Sequence, residues 1–140
     1  MLNEVRDGII LGLQRATHAT LHVLSVRLAD LELVPSEINV LANLAAGPLS
    51  VGRLASATAT KPTTLTSVLD RLVRRGQVVR ELDQGDRRSF RVSLTTAGQA
   101  AADTIAAAIT DLERQALAGV SEADLAGFRA VVHALTEVRP

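Results

Sequence analysis

The sequence predicts a mainly α fold with one small β-hairpin. Three observations predict it. Apolar residues recur at three- and four-residue steps in six stretches, the signature of helices with one covered face. Between Gln77 and Leu94 the period changes to two, with residues 83–88 as a polar turn, which reads as a hairpin. Charge is sorted along the chain: residues 49–95 hold nine basic and four acidic side chains, while the remainder holds six and eleven. A short helix, a turn, a second helix ending at glycine and a basic hairpin follow one another in that middle segment. The order is that of a winged helix-turn-helix, here flanked by long N- and C-terminal helices.

The elements follow in turn. Residues 3–31 read as one helix on Val5, Ile9, Leu13, Thr17, Leu21, Leu24, Leu28 and Leu31. Ile10, Val23 and Val26 widen its apolar surface beyond one stripe, so it needs more than one partner. Residues 33–36 break it, and Pro35 suits the first position of the next helix. Ile38, Leu41, Leu44 and Ala45 mark that helix's core face, and Gly47-Pro48 ends it. Ser50 can cap a short helix over 51–56, with Leu54 and Ala55 turned inward and 57–60 as linker.

The helix that starts at Lys61-Pro62 has two unlike faces. Leu65, Val68, Leu69 and Leu72 form the apolar one; Thr60, Thr63, Ser67, Asp70, Arg71 and Arg74 the polar one; Gly76 supplies the exit. In the hairpin Phe90, Val92 and Leu94 point one way and Ser89, Arg91 and Ser93 the other. A two-stranded hairpin is unstable alone and must lean on the helices. Thr95 and Thr96 are both cap candidates for the following helix, Thr96 forming a capping box with Gln99. That helix runs to about residue 118 on Ile105, Ile109 and Leu112 and is closed by Gly119. Ser121 and Asp124 form a second capping box before a last helix on Leu125, Phe128, Val132 and Leu135, ending near 138. No linker divides the 140 residues, so one domain is expected.

Composition excludes several functions. Phe90 and Phe128 are the only aromatic residues, too few for stacking on single-stranded nucleic acid. The absence of cysteine excludes disulfides, thiol redox sensing and Cys-ligated zinc. Neither a signal peptide nor a membrane span is present, so a cytoplasmic location is the default. No nucleophile–base constellation, phosphate loop or metal triad appears, so an enzyme is not expected, nor is a cofactor. His18 and His22, four apart, with His133 on the last helix, form a weak metal pattern; packing or solvent exposure explains them better.

A basic segment within a neutral chain suggests a polyanion partner. Thr60, Thr63, Thr64 and Ser67 carry short hydroxyls that reach phosphates or base edges, though capping explains any one of them equally well. Lys61 is the only lysine and works against the helix dipole, which favours a phosphate contact. Arg71 and Arg74 are further candidates on this helix, although Asp70 and Arg74 could form an ordinary surface pair. Ser50, Arg53 and Arg75 are possible phosphate contacts beside it.

The residues Asp86-Arg87-Arg88-Ser89-Phe90-Arg91-Val92-Ser93-Leu94-Thr95 fit a wing pattern of D-x-R and, five residues later, L-T. With residues 72–76 before it, Thr95-Thr96-Ala97-Gly98 after it and Leu54-Ala55 in the first motif helix, the chain resembles the MarR family of bacterial transcriptional regulators. The resemblance covers essentially the full length. It implies a homodimer paired through residues 1–34 and 96–140, with residues 35–95 as the DNA-binding lobe. It implies double-stranded DNA as partner, a pseudo-palindromic operator, repression, and a small-molecule effector bound between the dimer helices and the DNA-binding lobe. Arg88 would enter the minor groove, oriented by Asp86, with Arg87, Ser89 and Arg91 completing the wing. Two features depart from the family: Val34-Pro35 stands where a Thr cap is common, and cysteine is missing. The competing readings are a winged-helix protein-interaction module and a non-specific architectural DNA binder.

Overall fold

A computed structural model describes residues 2–85 and 89–140, with the side chains of the first helix described from Gly8 onward. The chain is mainly helical with a small antiparallel sheet. The helices are α1 (Leu2–Arg27), α2 (Pro35–Leu44), α3 (Val51–Thr58), α4 (Pro62–Arg74), α5 (Thr96–Ala116) and α6 (Glu122–Thr136). The strands are β1 (Leu49–Ser50), β2 (Val78–Leu82) and β3 (Phe90–Leu94). By packing, residues 1–109 and 110–140 form two compact units.

The core of the first unit is aliphatic. Leu41, Leu54, Leu65, Leu72, Val92 and Ile105 are fully buried, with Val40, Leu44, Val68, Leu69 and Val78 beside them. Leu28 reaches this core from the end of α1, and Ala101 from α5. The four apolar residues expected on α4 are all among them.

Several local expectations are corrected. The first helix stops at Arg27, not near 31: Ala29–Leu31 tighten into a 3-10 turn and Glu32 takes φ 54°. Ala45 is exposed; Val40 and Glu37 are buried in α2 instead. The side chain of Val34 offers no acceptor, but its N–H donates to Glu37 Oε1 at 2.9 Å, so the acid caps the helix start. α3 continues to Thr58, whose buried hydroxyl donates to the Leu54 carbonyl at 2.7 Å, and Ala59 at φ 50° ends it. Ser50 caps α3 as expected, accepting from Arg53 N–H.

The hairpin is part of a three-stranded sheet in the order β1-β3-β2. β1 is two residues long, with Leu49 opposite Val92 and Ser50 opposite Arg91. It is too short for periodicity to reveal. The sheet's inner face carries Val78, Val92 and Leu94, but Phe90 lies further out, paired with Leu82, and is about half exposed.

α4 exits through Gly76 at φ 73°, with Gln77 N–H bonded to the Leu72 carbonyl and Gly76 N–H to that of Val73. Both bonds satisfy carbonyls that the helix end would leave open. α5 is capped by Thr95, not by Thr96 with Gln99. The Thr95 hydroxyl accepts from Gly98 N–H at 3.1 Å and donates to the Gly76 carbonyl at 2.6 Å. Gln99 turns instead to Asp103. Thr95→Ala removes both bonds and is expected to lower stability by about 1–2 kcal/mol. Urea unfolding should show this as a lower midpoint at unchanged slope; an unchanged midpoint would take Thr95 out of the cap.

α5 ends at Ala116, and Gly119 is not in the left-handed conformation expected of a closing glycine. Ser121 does cap α6, accepting from Asp124 N–H at 3.1 Å. None of residues 110–140 is buried, and Phe128 and Val131 stand largely open.

Candidate nucleic-acid interface

α4 forms because its apolar residues fall on one stripe and Pro62 fits its first turn. Burial of that stripe fixes which way the other face looks. Lys61, Thr63, Thr64, Ser67, Arg71 and Arg74 are all exposed. Thr63, Ser67, Asp70 and Arg74 follow one line along the helix, by their spacing of three and four. No hydrogen bond among the described residues engages the hydroxyls of Thr63, Thr64 or Ser67. Thr66, also exposed, donates back to the Pro62 carbonyl at 2.9 Å. Thr60 precedes the helix, half-buried, and its hydroxyl donates to the Thr58 carbonyl.

The acid on this face is neutralised from the sheet. Asp70 Oδ1 accepts from Arg80 Nη2 at 2.6 Å, an ion pair joining α4 to β2. Arg74 does not form the surface pair that its spacing from Asp70 allows; its Nε donates to the Asp70 backbone carbonyl at 3.3 Å. A carboxylate on this face would repel anions, and Arg80 offsets that repulsion. Arg80 was not among the sequence candidates. The available signal was an arginine on the inner face of β2, between Val78 and Leu82.

The other cations are placed differently. Arg75 donates to the carbonyls of Leu31 and Glu32 at 2.8 and 3.1 Å. Arg71 faces Glu37, Nε to Oε2, at 3.8 Å. Glu37, only 4% exposed, was also missed, although its position three residues into a helix is one that capping acids favour. Arg53 and Arg91 line a recess of about 240 Å³ with Pro48, Leu49, Ser50 and Asp83.

At the wing, Asp83 N–H donates to the Ser89 carbonyl and Asp83 Oδ1 accepts from Gly85 N–H, which shapes the turn. Arg91 is exposed and stands opposite Glu81. Asp86, Arg87 and Arg88 lie outside the described residues. His18, His22 and His133 are exposed, and among the described residues no group of three or more His, Cys, Asp or Glu could hold a metal ion.

A family model for the MarR family matches residues 30–89, the segment that holds α2, the two motif helices and β2. A probable transcriptional regulator from Pseudomonas aeruginosa is 30% identical, covers 94% of this chain and 98% of its own, and superposes with a TM-score of 0.74. The chain belongs to the MarR family. A MarR family regulator from Silicibacter pomeroyi is 29% identical over 95% of this chain and 92% of its own, with a TM-score of 0.80. The S. aureus MepR–DNA complex shares the fold at 20% identity and a TM-score of 0.75, over 88% of this chain and 91% of its own. No curated protein sequence matches.

As a MarR family member the chain is a transcriptional regulator. The ion pair of Asp70 and Arg80 ties the polar face of α4 to β2 of the hairpin. No helix among the described residues is long and apolar enough to cross a membrane.

Proposed function

We propose that this protein is a non-enzymatic, homodimeric repressor that binds a pseudo-palindromic operator in double-stranded DNA. The observation that carries this reading is the division of α4: one side buried as Leu65, Val68, Leu69 and Leu72, the other a line of hydroxyls and cations beside the wing. Thr60, Lys61, Thr63, Thr64, Ser67, Arg71 and Arg74 form the recognition set and the phosphate contacts at its edge. Ser50, Arg53 and Arg75 lie at the border of that set. The wing residues Asp86, Arg87, Arg88, Ser89 and Arg91 reach the flanking minor groove, where Arg88 reads groove width.

The dimer is supported by apolar surface without cover within the chain. Ile9, Ile10, Leu11 and Val26 on α1, and Phe128 and Val131 on α6, are exposed. Residues 1–34 and 96–140 are accordingly the pairing segments, and 35–95 the DNA-binding lobe of a single MarR-type domain. A two-fold dimer places its half-sites about one helical turn apart. Family membership supports a small-molecule effector that favours a spacing of the two α4 helices incompatible with the operator. It also supports a bacterial cytoplasmic setting.

The test is selection from a pool of random duplexes, followed by titration of the most enriched sequence against its scrambled version at two salt concentrations. The expected result is an inverted repeat bound at least about a thousandfold more tightly than the scrambled duplex. Equal, salt-sensitive binding to both would make the protein an architectural binder. No binding by a folded dimer would make its partner a protein.

A further inference from the structure

Two of the exposed cations at the end of the recognition helix also have partners within the protein. Arg71 on α4 and Arg75 at its C-cap lie about one turn apart and reach back to the corner between α1 and α2. The Arg75 guanidinium spans two consecutive carbonyl oxygens, those of Leu31 and Glu32. A planar cation held at two points resists rotation as well as translation. Glu32 itself adopts φ 54°, a left-handed conformation that a side chain disfavours. Such a conformation persists where its surroundings hold it.

Glu37 completes the corner. One carboxylate oxygen accepts from Val34 N–H, and the other faces Arg71. A carboxylate this deeply buried requires compensation at its oxygens. The same acid therefore begins α2 and anchors the last turns of α4. None of these attachments engages the side chains of Thr63 or Ser67.

We propose that Glu37 is a positioning residue for DNA recognition. With the carbonyls of Leu31 and Glu32, it grips α4 through Arg71 and Arg75 and sets the depth at which the helix meets the groove. The inference rests on the DNA-binding reading above. Arg71 and Arg75, proposed above as DNA contacts, then also hold the helix to the rest of the protein.

Glu37→Gln is the variant of choice, because the amide oxygen still accepts from Val34 N–H while the charge facing Arg71 is lost. The probe is the duplex most enriched by the wild-type chain, beside its scrambled version. The variant's preference for the selected duplex should fall about tenfold, the size of one disturbed base-pair contact. Binding to the scrambled duplex and its salt dependence should stay as in the wild type. In DNA-free protein, amide exchange over residues 70–77 should accelerate. Arg71→Ala should likewise accelerate exchange over residues 70–77. Unchanged exchange in both variants would show that the corner does not hold α4 and would overturn the proposal. An unchanged preference in Glu37→Gln would overturn it too. A wild-type chain that enriches no sequence would end the DNA reading itself; the exchange measurement, which needs no DNA, still reports whether the corner grips α4.

Discussion

Gly98→Ala is expected to destabilise the protein by about 3 kcal/mol, and to lower Tm by on the order of 10 °C. Gly98 is buried in the first turn of α5, and a Cβ built on it lies 1.9 Å from the Gln77 carbonyl oxygen. It also lies 2.9 Å from the carbonyl carbon and 3.2 Å from Leu94 Cδ2. The obstacle is backbone, so no rotamer change relieves it. Gln77 O is itself bonded to Thr95 N–H, and α5 cannot retreat without losing that bond and the Thr95 cap. Alanine normally favours a helix over glycine by about 1 kcal/mol, so the measured loss is what remains after that gain. Gly52→Ala in α3, where nothing lies within 4 Å of the added carbon, is the control. It should be neutral or stabilising by less than about 1 kcal/mol. Calorimetry on both variants decides: equal transitions would mean that the Gln77 contact does not constrain position 98.

Arg88→Ala should weaken binding to the selected duplex by about 1–3 kcal/mol, or roughly tenfold to a hundredfold, with the fold unchanged. The strands on either side fix where the wing begins and ends: Leu82 pairs with Phe90, and Asp83 N–H reaches the Ser89 carbonyl. Neither of these pairings involves residue 88. An arginine in a narrow minor groove gains from the focused negative potential there. Removing the base pairs outside the half-sites should therefore erase most of the difference between wild type and variant. Unchanged affinity with an unchanged circular dichroism spectrum would remove Arg88 from the account.

Much of this architecture was legible because it is written in local periodicity. The stripe Leu65, Val68, Leu69 and Leu72 is a pattern within one helix, and the structure buries all four. What escaped depends on residues far apart in the chain. Burial of Glu37 requires an arginine on α4, and the partner of Asp70 sits on β2 rather than one turn along the helix. β1 is two residues long and exists only because β3 is there to receive it. The choice of Thr95 over Thr96 as cap was decided by the Gly76 carbonyl, on the far side of the hairpin. Exposure of Phe90 followed from the length of the hairpin, which carries its outer pair past the core.

The same Thr95 bonds have a further consequence. The end of α4 and the start of α5 are stapled through Gly76 and Gln77, so the whole wing leaves and re-enters the domain through one closed gate. Extending a loop whose ends are already joined adds entropy cost only slowly, about 0.6 kcal/mol for each doubling of its length. Wing tips of different length and charge should therefore be interchangeable on this domain, with specificity altered at the tip and the core left undisturbed.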